Sequence, residues 1–99
     1  MIKHIVMWKL KEEAHGNDKP TNAQLIKEKL EGLSGKIEGL LKIEVGIDFL
    51  GGNNFDVVLY SELTSEEALD AYQNHPLHQE LLPFVRDTVV DRKAVDYKA

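Results

Sequence analysis

Residues 2–10 alternate between two sets of side chains in a way that constrains the fold more than any other part of the chain. Side chains on a strand point alternately to opposite faces, so a period of two predicts a strand. Apolar residues occur in both sets, which means that this strand needs cover on both sides. The two sets are Ile2, His4, Val6, Trp8 and Leu10 on one face, and Lys3, Ile5, Met7 and Lys9 on the other.

A polar loop over residues 12–21 precedes the first predicted helix. We expect that helix to run from about Asn22 to Ile37, because apolar residues recur there at helical spacing. Gly39 is a candidate C-cap for it. The stripe consists of Ile26, Leu30, Leu33 and Ile37.

Two further strands are predicted over residues 41–49 and 55–63, joined by a turn cluster at 51–54. Alternation in the first of them predicts that Leu41, Ile43, Val45, Ile47 and Phe49 share one face. Glycine and asparagine in the cluster are typical of a hairpin loop, so the two strands should be antiparallel neighbours. The same cluster lacks the Lys-Ser/Thr pair and the following helix of a phosphate-binding loop.

A second helix should open at the capping box of residues 64–67 and should be interrupted at His75-Pro76. A third helix is expected from Leu77 to about Arg86, with Pro83 distorting it. The last predicted strand runs from Thr88 to Tyr97.

The order of these elements predicts one α+β domain over residues 1–99, a ferredoxin-like β-α-β-β-α-β unit with a four-stranded antiparallel sheet. Right-handed crossovers place both helical segments on the same face of that sheet. The opposite face, called here the open sheet face, then exposes apolar residues such as Ile5, Met7, Val58 and Tyr60. We therefore expect a homodimer that packs through the open sheet face.

Composition excludes several classes of function. The chain has 99 residues and a net charge of -5, and an acidic surface repels nucleic acid and anionic membranes. It has no cysteine, which excludes thiolate chemistry and is typical of a cytoplasmic protein. The N-terminal segment resembles a strand and not a signal peptide, and no apolar run approaches the ~20 residues of a membrane span.

The whole chain resembles the stress-responsive A/B barrel (Dabb) family. The resemblance rests on the opening residues 3–6, the element order, the Tyr72-x-x-His75-Pro76-x-His78 segment and the closing Asp96-Tyr97. Members of this family are dimeric α+β barrels. Many bacterial members have no assigned activity, some plant members are known by stress induction, and one plant member is a polyketide cyclase that performs an aldol condensation.

The resemblance to that cyclase implies that Tyr72 and His78 are the catalytic pair and that His4 lies in the pocket. No cofactor is implied. The chain departs from the cyclase at Asp56, where the cyclase has a histidine. It also departs in the first helix, which lacks the cyclase's aromatic cluster, so we expect a pocket of different shape and a different substrate.

The residue types suit such chemistry, but each has a structural alternative. A neutral imidazole at His78 can take a proton, and the phenol of Tyr72 can donate to a developing oxyanion. Alternatively, Tyr72 is a core aromatic and His78 a surface residue. The pair can converge only if the break at His75-Pro76 folds the next helix back.

Four more residues are candidates for the ligand site: His4, Val6, Trp8 and His75. His4 is either a satisfied core residue or part of the same cavity as His78. His75 precedes a proline, so it either caps a helix or contacts ligand. The spacing of His75 and His78 is not that of a metal site, and we predict no metal and no cofactor.

Two hypotheses therefore remain open from sequence. In the first, the chain is a stress-associated, ligand-binding homodimer with a pocket for a small apolar carbonyl compound and no catalysis. In the second, it is a cofactor-free cyclase-like or lyase enzyme that uses His78 and Tyr72. Convergence of His78, Tyr72 and His4 on one cavity would favour a site.

Overall fold

A computed structural model describes residues 1–99, and its main sheet is antiparallel with the strand order β4-β5-β1-β6. This arrangement confirms the predicted ferredoxin-like α+β fold. A two-stranded hairpin, β2 and β3, is added between the first strand and the first helix. The elements are β1 Ile2–Leu10, β2 Glu13–Ala14, β3 Asn17–Asp18, α1 Lys19–Glu31, β4 Leu40–Ile47, β5 Val57–Leu63, α2 Glu66–Asn74, α3 Pro76–Gln79, α4 Leu82–Thr88 and β6 Val89–Lys98.

The central strand β1 carries the predicted alternation. Its even-numbered residues, from Ile2 to Leu10, are all buried against the helices, and His4 is buried with them at 4% exposure. It pairs with β5 on one side and with β6 on the other. The core of the protein thus lies between this face of the sheet and the helices.

Helix α1 begins and ends earlier than its apolar pattern predicts. The Asp18 side chain accepts a hydrogen bond from the Thr21 amide at 3.0 Å, which starts the helix at Lys19 rather than at Asn22. The helix ends at Glu31, and a series of short turns continues to residue 36. Leu33 and Ile37 lie after the end of the helix but are still buried, so the helical spacing of apolar residues continues beyond the helix itself.

Strand β4 contains an irregularity that the alternation of its sequence does not reveal. The register with β5 shifts between Leu40 and Lys42. Leu40, Ile43 and Val45 are consequently buried, whereas Leu41 is 57% exposed. The prediction that Leu41 and Ile43 share a face was therefore wrong, because a β-bulge changes the direction of the residues on one side of it.

The chain after β5 forms three short helices rather than two. Ser65 caps α2 by accepting a hydrogen bond from the Ala68 amide at 3.0 Å. His75-Pro76 ends that helix as predicted, but the expected helix from Leu77 to Arg86 is divided into α3 and α4. Pro83 lies in the first turn of α4, where backbone N–H groups have no partner within the helix. Its missing N–H therefore costs no helical hydrogen bond.

The open sheet face is left without helices. Ile5 lies opposite Tyr60 and Val95, and Met7 lies opposite Val58. Met7 is 38% exposed and Val95 is 53% exposed. None of the helices is both long enough and apolar enough to cross a membrane.

Candidate functional site

A cavity of about 460 Å³ lies on the helix side of the sheet, and we call it the helix-side cavity. Its walls come from β1, the end of α1, β5, the helices α2 to α4, and β6. Seven of its lining residues are hydrophobic, and none is an aspartate or glutamate. The residues are His4, Val6, Trp8, Leu30, Leu59, Gln73, Asn74, His78, Gln79, Leu81, Leu82, Val85, Arg86 and Arg92.

Tyr72 lies in the last turn of α2 and is completely buried. Its hydroxyl has no hydrogen-bond partner, which is unusual because a buried polar group without a partner is costly. Burial raises the pKa of Tyr72 to about 12, so the phenol is neutral at physiological pH. Tyr72 is absent from the cavity lining, but its ring neighbours two residues that belong to it.

His78 lies in α3 and lines the helix-side cavity. Its Nδ1 is 3.1 Å from the Gln73 carbonyl oxygen. A carbonyl can only accept, so Nδ1 carries the proton in the neutral ring and Nε2 keeps its lone pair. Burial lowers the pKa of His78, the hydrogen bond to the Gln73 carbonyl opposes this, and the nearby guanidinium of Arg86 lowers the pKa further. The ring therefore presents a neutral base at Nε2.

The rings of Tyr72, His78 and His4 form one cluster. The centroids of Tyr72 and His78 are 4.7 Å apart, and those of His4 and Tyr72 are 6.3 Å apart with an edge-to-face orientation. The break at His75-Pro76 makes this arrangement possible, because α3 starts on a new axis after α2. The structure thus brings the three rings together, but only His4 and His78 line the helix-side cavity, and Tyr72 lies beside them.

His4 is paired with a carboxylate that the sequence analysis did not assign to the site. Asp96 lies directly opposite His4 in the register of β1 and β6, and its Oδ1 contacts the His4 Nδ1. This contact fixes the orientation of the His4 ring. The signal for this pair lies in the antiparallel register of the first and last strands. Counting residues inward from the two ends places Asp96 opposite His4.

The other predicted ligand-site residues divide into two groups. Val6 and Trp8 line the cavity and are almost fully buried. His75 does not line it. The Nδ1 of His75 accepts a hydrogen bond from the Leu77 amide at 3.1 Å, and its own backbone N–H donates to the Tyr72 carbonyl. His75 thus follows its structural alternative, as the cap that separates α2 from α3.

Asp56, the position of the departure from the cyclase, lies outside the helix-side cavity. It accepts a hydrogen bond from the Leu10 amide at 2.8 Å and lies 3.5 Å from the Lys19 ammonium. Together with Met7 and Val58 it lines a second cavity of about 540 Å³ at the ends of β4 and β5. The difference at this position therefore does not alter the surroundings of His78.

Arg86 and Arg92 also line the helix-side cavity, although no sequence pattern indicated a role for either of them. Arg86 comes from α4 and Arg92 from the start of β6. No group of three or more His, Asp or Glu side chains is arranged to hold a metal ion. The chemistry available at the cavity is thus a neutral imidazole base and two guanidinium cations, with a buried neutral phenol beside the imidazole.

Several solved structures share the fold of this chain. A dimeric protein of unknown function with a ferredoxin-like fold from Bacteroides fragilis NCTC 9343 is 33% identical, with a TM-score of 0.88 over 99% of this chain and 95% of that one. A dimeric ferredoxin-like protein of unknown function from Thermobifida fusca YX is 26% identical, with a TM-score of 0.85 over 99% and 90% of the two chains.

Hydroxynitrile lyase from Passiflora edulis is more distant. It is 16% identical, with a TM-score of 0.80 over 97% of this chain and 90% of that one, a likeness that shows the fold alone. No curated protein matches the chain in sequence. The family model for the stress responsive A/B barrel domain (Dabb) matches residues 2–99, and the chain therefore belongs to the Dabb family.

Proposed function

We propose that this protein is a homodimer that binds a small carbonyl compound with an apolar body in the helix-side cavity. The observation that carries the proposal is the buried Tyr72 hydroxyl, which has no acceptor although its ring contacts His78. His4 and His78 both line the cavity and both have rings beside Tyr72, so a ligand oxygen that entered between them would supply that acceptor. A stress-associated role and a cytoplasmic location stay predictions.

The size and lining of the cavity support a small organic ligand. Ligand pockets in proteins are mostly apolar clefts of about 300–1,000 Å³ with a few convergent polar groups. The helix-side cavity falls within this range at about 460 Å³. Val6, Trp8 and Leu59 provide an apolar wall from the sheet, and His78 provides a polar group from the helices.

The dimer is proposed to form through the open sheet face. That face exposes Met7 and Val95 on adjacent strands, next to the half-buried Ile5. Two related structures, from Bacteroides fragilis and Thermobifida fusca, are described as dimeric. Packing two sheets face to face about 10 Å apart would bury these apolar side chains and would also cover the second cavity.

A second candidate function is acid–base catalysis at the same site, favoured by the state of His78 and Tyr72. The neutral Nε2 of His78 would take a proton from a carbon next to a carbonyl group. The electron pair of the broken C–H bond would become an enolate, and the Tyr72 hydroxyl would donate a hydrogen bond to the enolate oxygen.

Binding and catalysis can be separated with one probe. We expect 2-heptanone to shift the amide NMR signals of residues that line the helix-side cavity in the wild type. If the protein is also a catalyst, the protons next to the carbonyl will exchange with deuterium in D2O faster with wild type than with His78→Ala. Binding without exchange would support the ligand-binding function alone.

A matched control is His15→Ala. His15 is exposed and stacks on Phe84 outside the cavity lining, so its loss should leave both signals unchanged. The absence of any shift among the lining residues, with 2-heptanone and with related ketones and aldehydes, would contradict the proposed function.

A further inference from the structure

We infer that the ligand of the helix-side cavity carries a carboxylate, which is bound by Arg86 and Arg92. This inference rests on the proposed function and specifies the chemical class of the ligand. Arg86 and Arg92 are the only arginines among the 12 basic residues of the chain, and both line this one cavity. No lysine lines it.

The two arginines reach the cavity from different elements. On α4, Arg86 lies one helical turn after Leu82 on the same face, and both residues line the cavity. On β6, Arg92 lies opposite Trp8 of the central strand. Two rigid elements thus present guanidinium groups to the same space, an arrangement that suits a ligand held between them.

Neither guanidinium is neutralised within the chain. Arg86 is followed by Asp87 and Arg92 is preceded by Asp91, yet the protein forms no ion pair at either arginine. Asp91 instead lies 3.6 Å from the ammonium of Lys93. In a chain with a net charge of -5, two unpaired cations facing a cavity without carboxylates form a local site for an anion.

The chemistry of the lining points to a carboxylate attached to an apolar body. Guanidinium groups bind planar carboxylates through two parallel hydrogen bonds, and such charge-assisted bonds are stronger than neutral ones. The sheet side of the cavity offers Val6, Trp8 and Leu59 to an aliphatic or aromatic body. Arg86 is close enough to His78 for its charge to lower the pKa of that ring, so the carboxylate would lie near the base.

Hexanoate and hexanamide are suitable probes, because they share shape and differ in charge. Titrations followed by amide NMR at low ionic strength should give a dissociation constant for hexanoate about tenfold or more below that for hexanamide. Arg86→Gln and Arg92→Gln should each reduce this preference, and Arg86→Lys should retain part of it, because lysine keeps the charge but not the paired hydrogen bonds.

Lys36→Gln is the matched control. It removes the same charge from an exposed turn where the Lys36 side chain forms no ion pair, so the preference for hexanoate should be unchanged. The arginines are exposed, so their variants should fold, which circular dichroism would check.

The outcomes distinguish this inference from the proposed function. Equal binding of both probes in the cavity would overturn the carboxylate site while leaving a small-molecule site in place. A preference for hexanoate that persists in the double variant Arg86→Gln/Arg92→Gln would also overturn the carboxylate site. If neither these probes nor 2-heptanone shifted any lining residue, both the inference and the proposed function would fail.

Discussion

Tyr72 and His78 belong to different helices, yet their rings lie 4.7 Å apart with an angle of 54° between their planes. The His75-Pro76 break produces this contact. His75 ends α2 with extended backbone at φ -66° and ψ 136°, and Pro76 begins α3 on a new axis. An uninterrupted helix would place residues six apart on different faces, so the break is what brings the two rings together.

Replacing Tyr72 by phenylalanine should stabilise the fold and at the same time weaken ligand binding. The hydroxyl is buried without a partner, and removing such a group relieves a desolvation penalty of about 1–3 kcal/mol. We expect Tyr72→Phe to raise the free energy of unfolding by about 1 kcal/mol in urea denaturation and to weaken binding of the carbonyl probe.

Tyr60→Phe is the control, because the Tyr60 hydroxyl already donates to Glu62 and its loss should not stabilise the protein. A Tyr72→Phe variant that is clearly less stable than the wild type would mean that the hydroxyl has a partner in solution. The change in the free energy of unfolding therefore tests directly whether the Tyr72 hydroxyl lacks a partner.

His78 should titrate below its ordinary pKa of 6.5, and folding should be linked to that titration. Burial lowers the pKa of His78 in the folded state, so the unfolded chain binds this proton at a higher pH than the folded chain does. The contribution of His78 to the free energy of unfolding is thus complete above about pH 6.5 and falls as the pH drops toward the folded-state pKa.

The measurement is a pair of urea denaturation curves at about pH 7.5 and pH 5.5 for wild type and His78→Gln. The wild type should lose more stability at the lower pH than the variant does. His15→Gln, at an exposed histidine, should behave like the wild type. An NMR titration in which the His78 ring shows a pKa at or above 6.5 would contradict the prediction.

The fold was largely predictable because its signals are local. Three patterns each specify one element through neighbouring residues alone. They are the alternation in residues 2–10, the turn cluster between two strands and the His75-Pro76 break. The errors occur where other contacts intervene. The bulge beside Leu41 depends on pairing with β5, and α1 ends at Glu31 although its apolar stripe continues through Ile37.

The candidate site was predictable only in part, because the residues that the structure brings together come from distant segments. Tyr72 and His78 share one short motif, and a family resemblance pointed to both. The contact of His4 with Asp96 spans 92 residues and follows from strand register. Arg86 and Arg92 carry no local signature at all, since an arginine beside an aspartate resembles an ordinary solvated pair.

Dimerisation through the open sheet face should depend on Met7. This residue lies on the central strand and is 38% exposed on that face. Burying an unpaired charge costs several kcal/mol, so Met7→Lys should weaken the dimer by roughly a hundredfold or more. Size-exclusion chromatography with light scattering should detect a monomer at micromolar concentration.

Ala71→Lys serves as the control for that experiment, since Ala71 is exposed on α2, away from the sheet. This variant should remain dimeric. A Met7→Lys protein that stays dimeric would place the interface elsewhere.

Gly39 was predicted to cap α1, but it lies in the loop before β4, where it supports the helix that carries Tyr72. Its φ is +85°, and an added Cβ would be 2.7 Å from the Cβ of Ala68. Gly35 has a similar φ of +77° with nothing within 4 Å of the added carbon. The two positions therefore share the backbone cost of about 1–2 kcal/mol for alanine, and only Gly39→Ala adds a steric clash.

We expect Gly35→Ala to lower the free energy of unfolding by about 1 kcal/mol and Gly39→Ala to lower it by about 3 kcal/mol or more. Ala68 is one helical turn before Tyr72 on α2, so relief of the clash would displace that helix and change the contact between Tyr72 and His78. Gly39→Ala should therefore also shift the NMR signals of His78, whereas Gly35→Ala should not. Equal losses of stability, with no change at His78 in either variant, would show that the contact of Gly39 with α2 does not position the site.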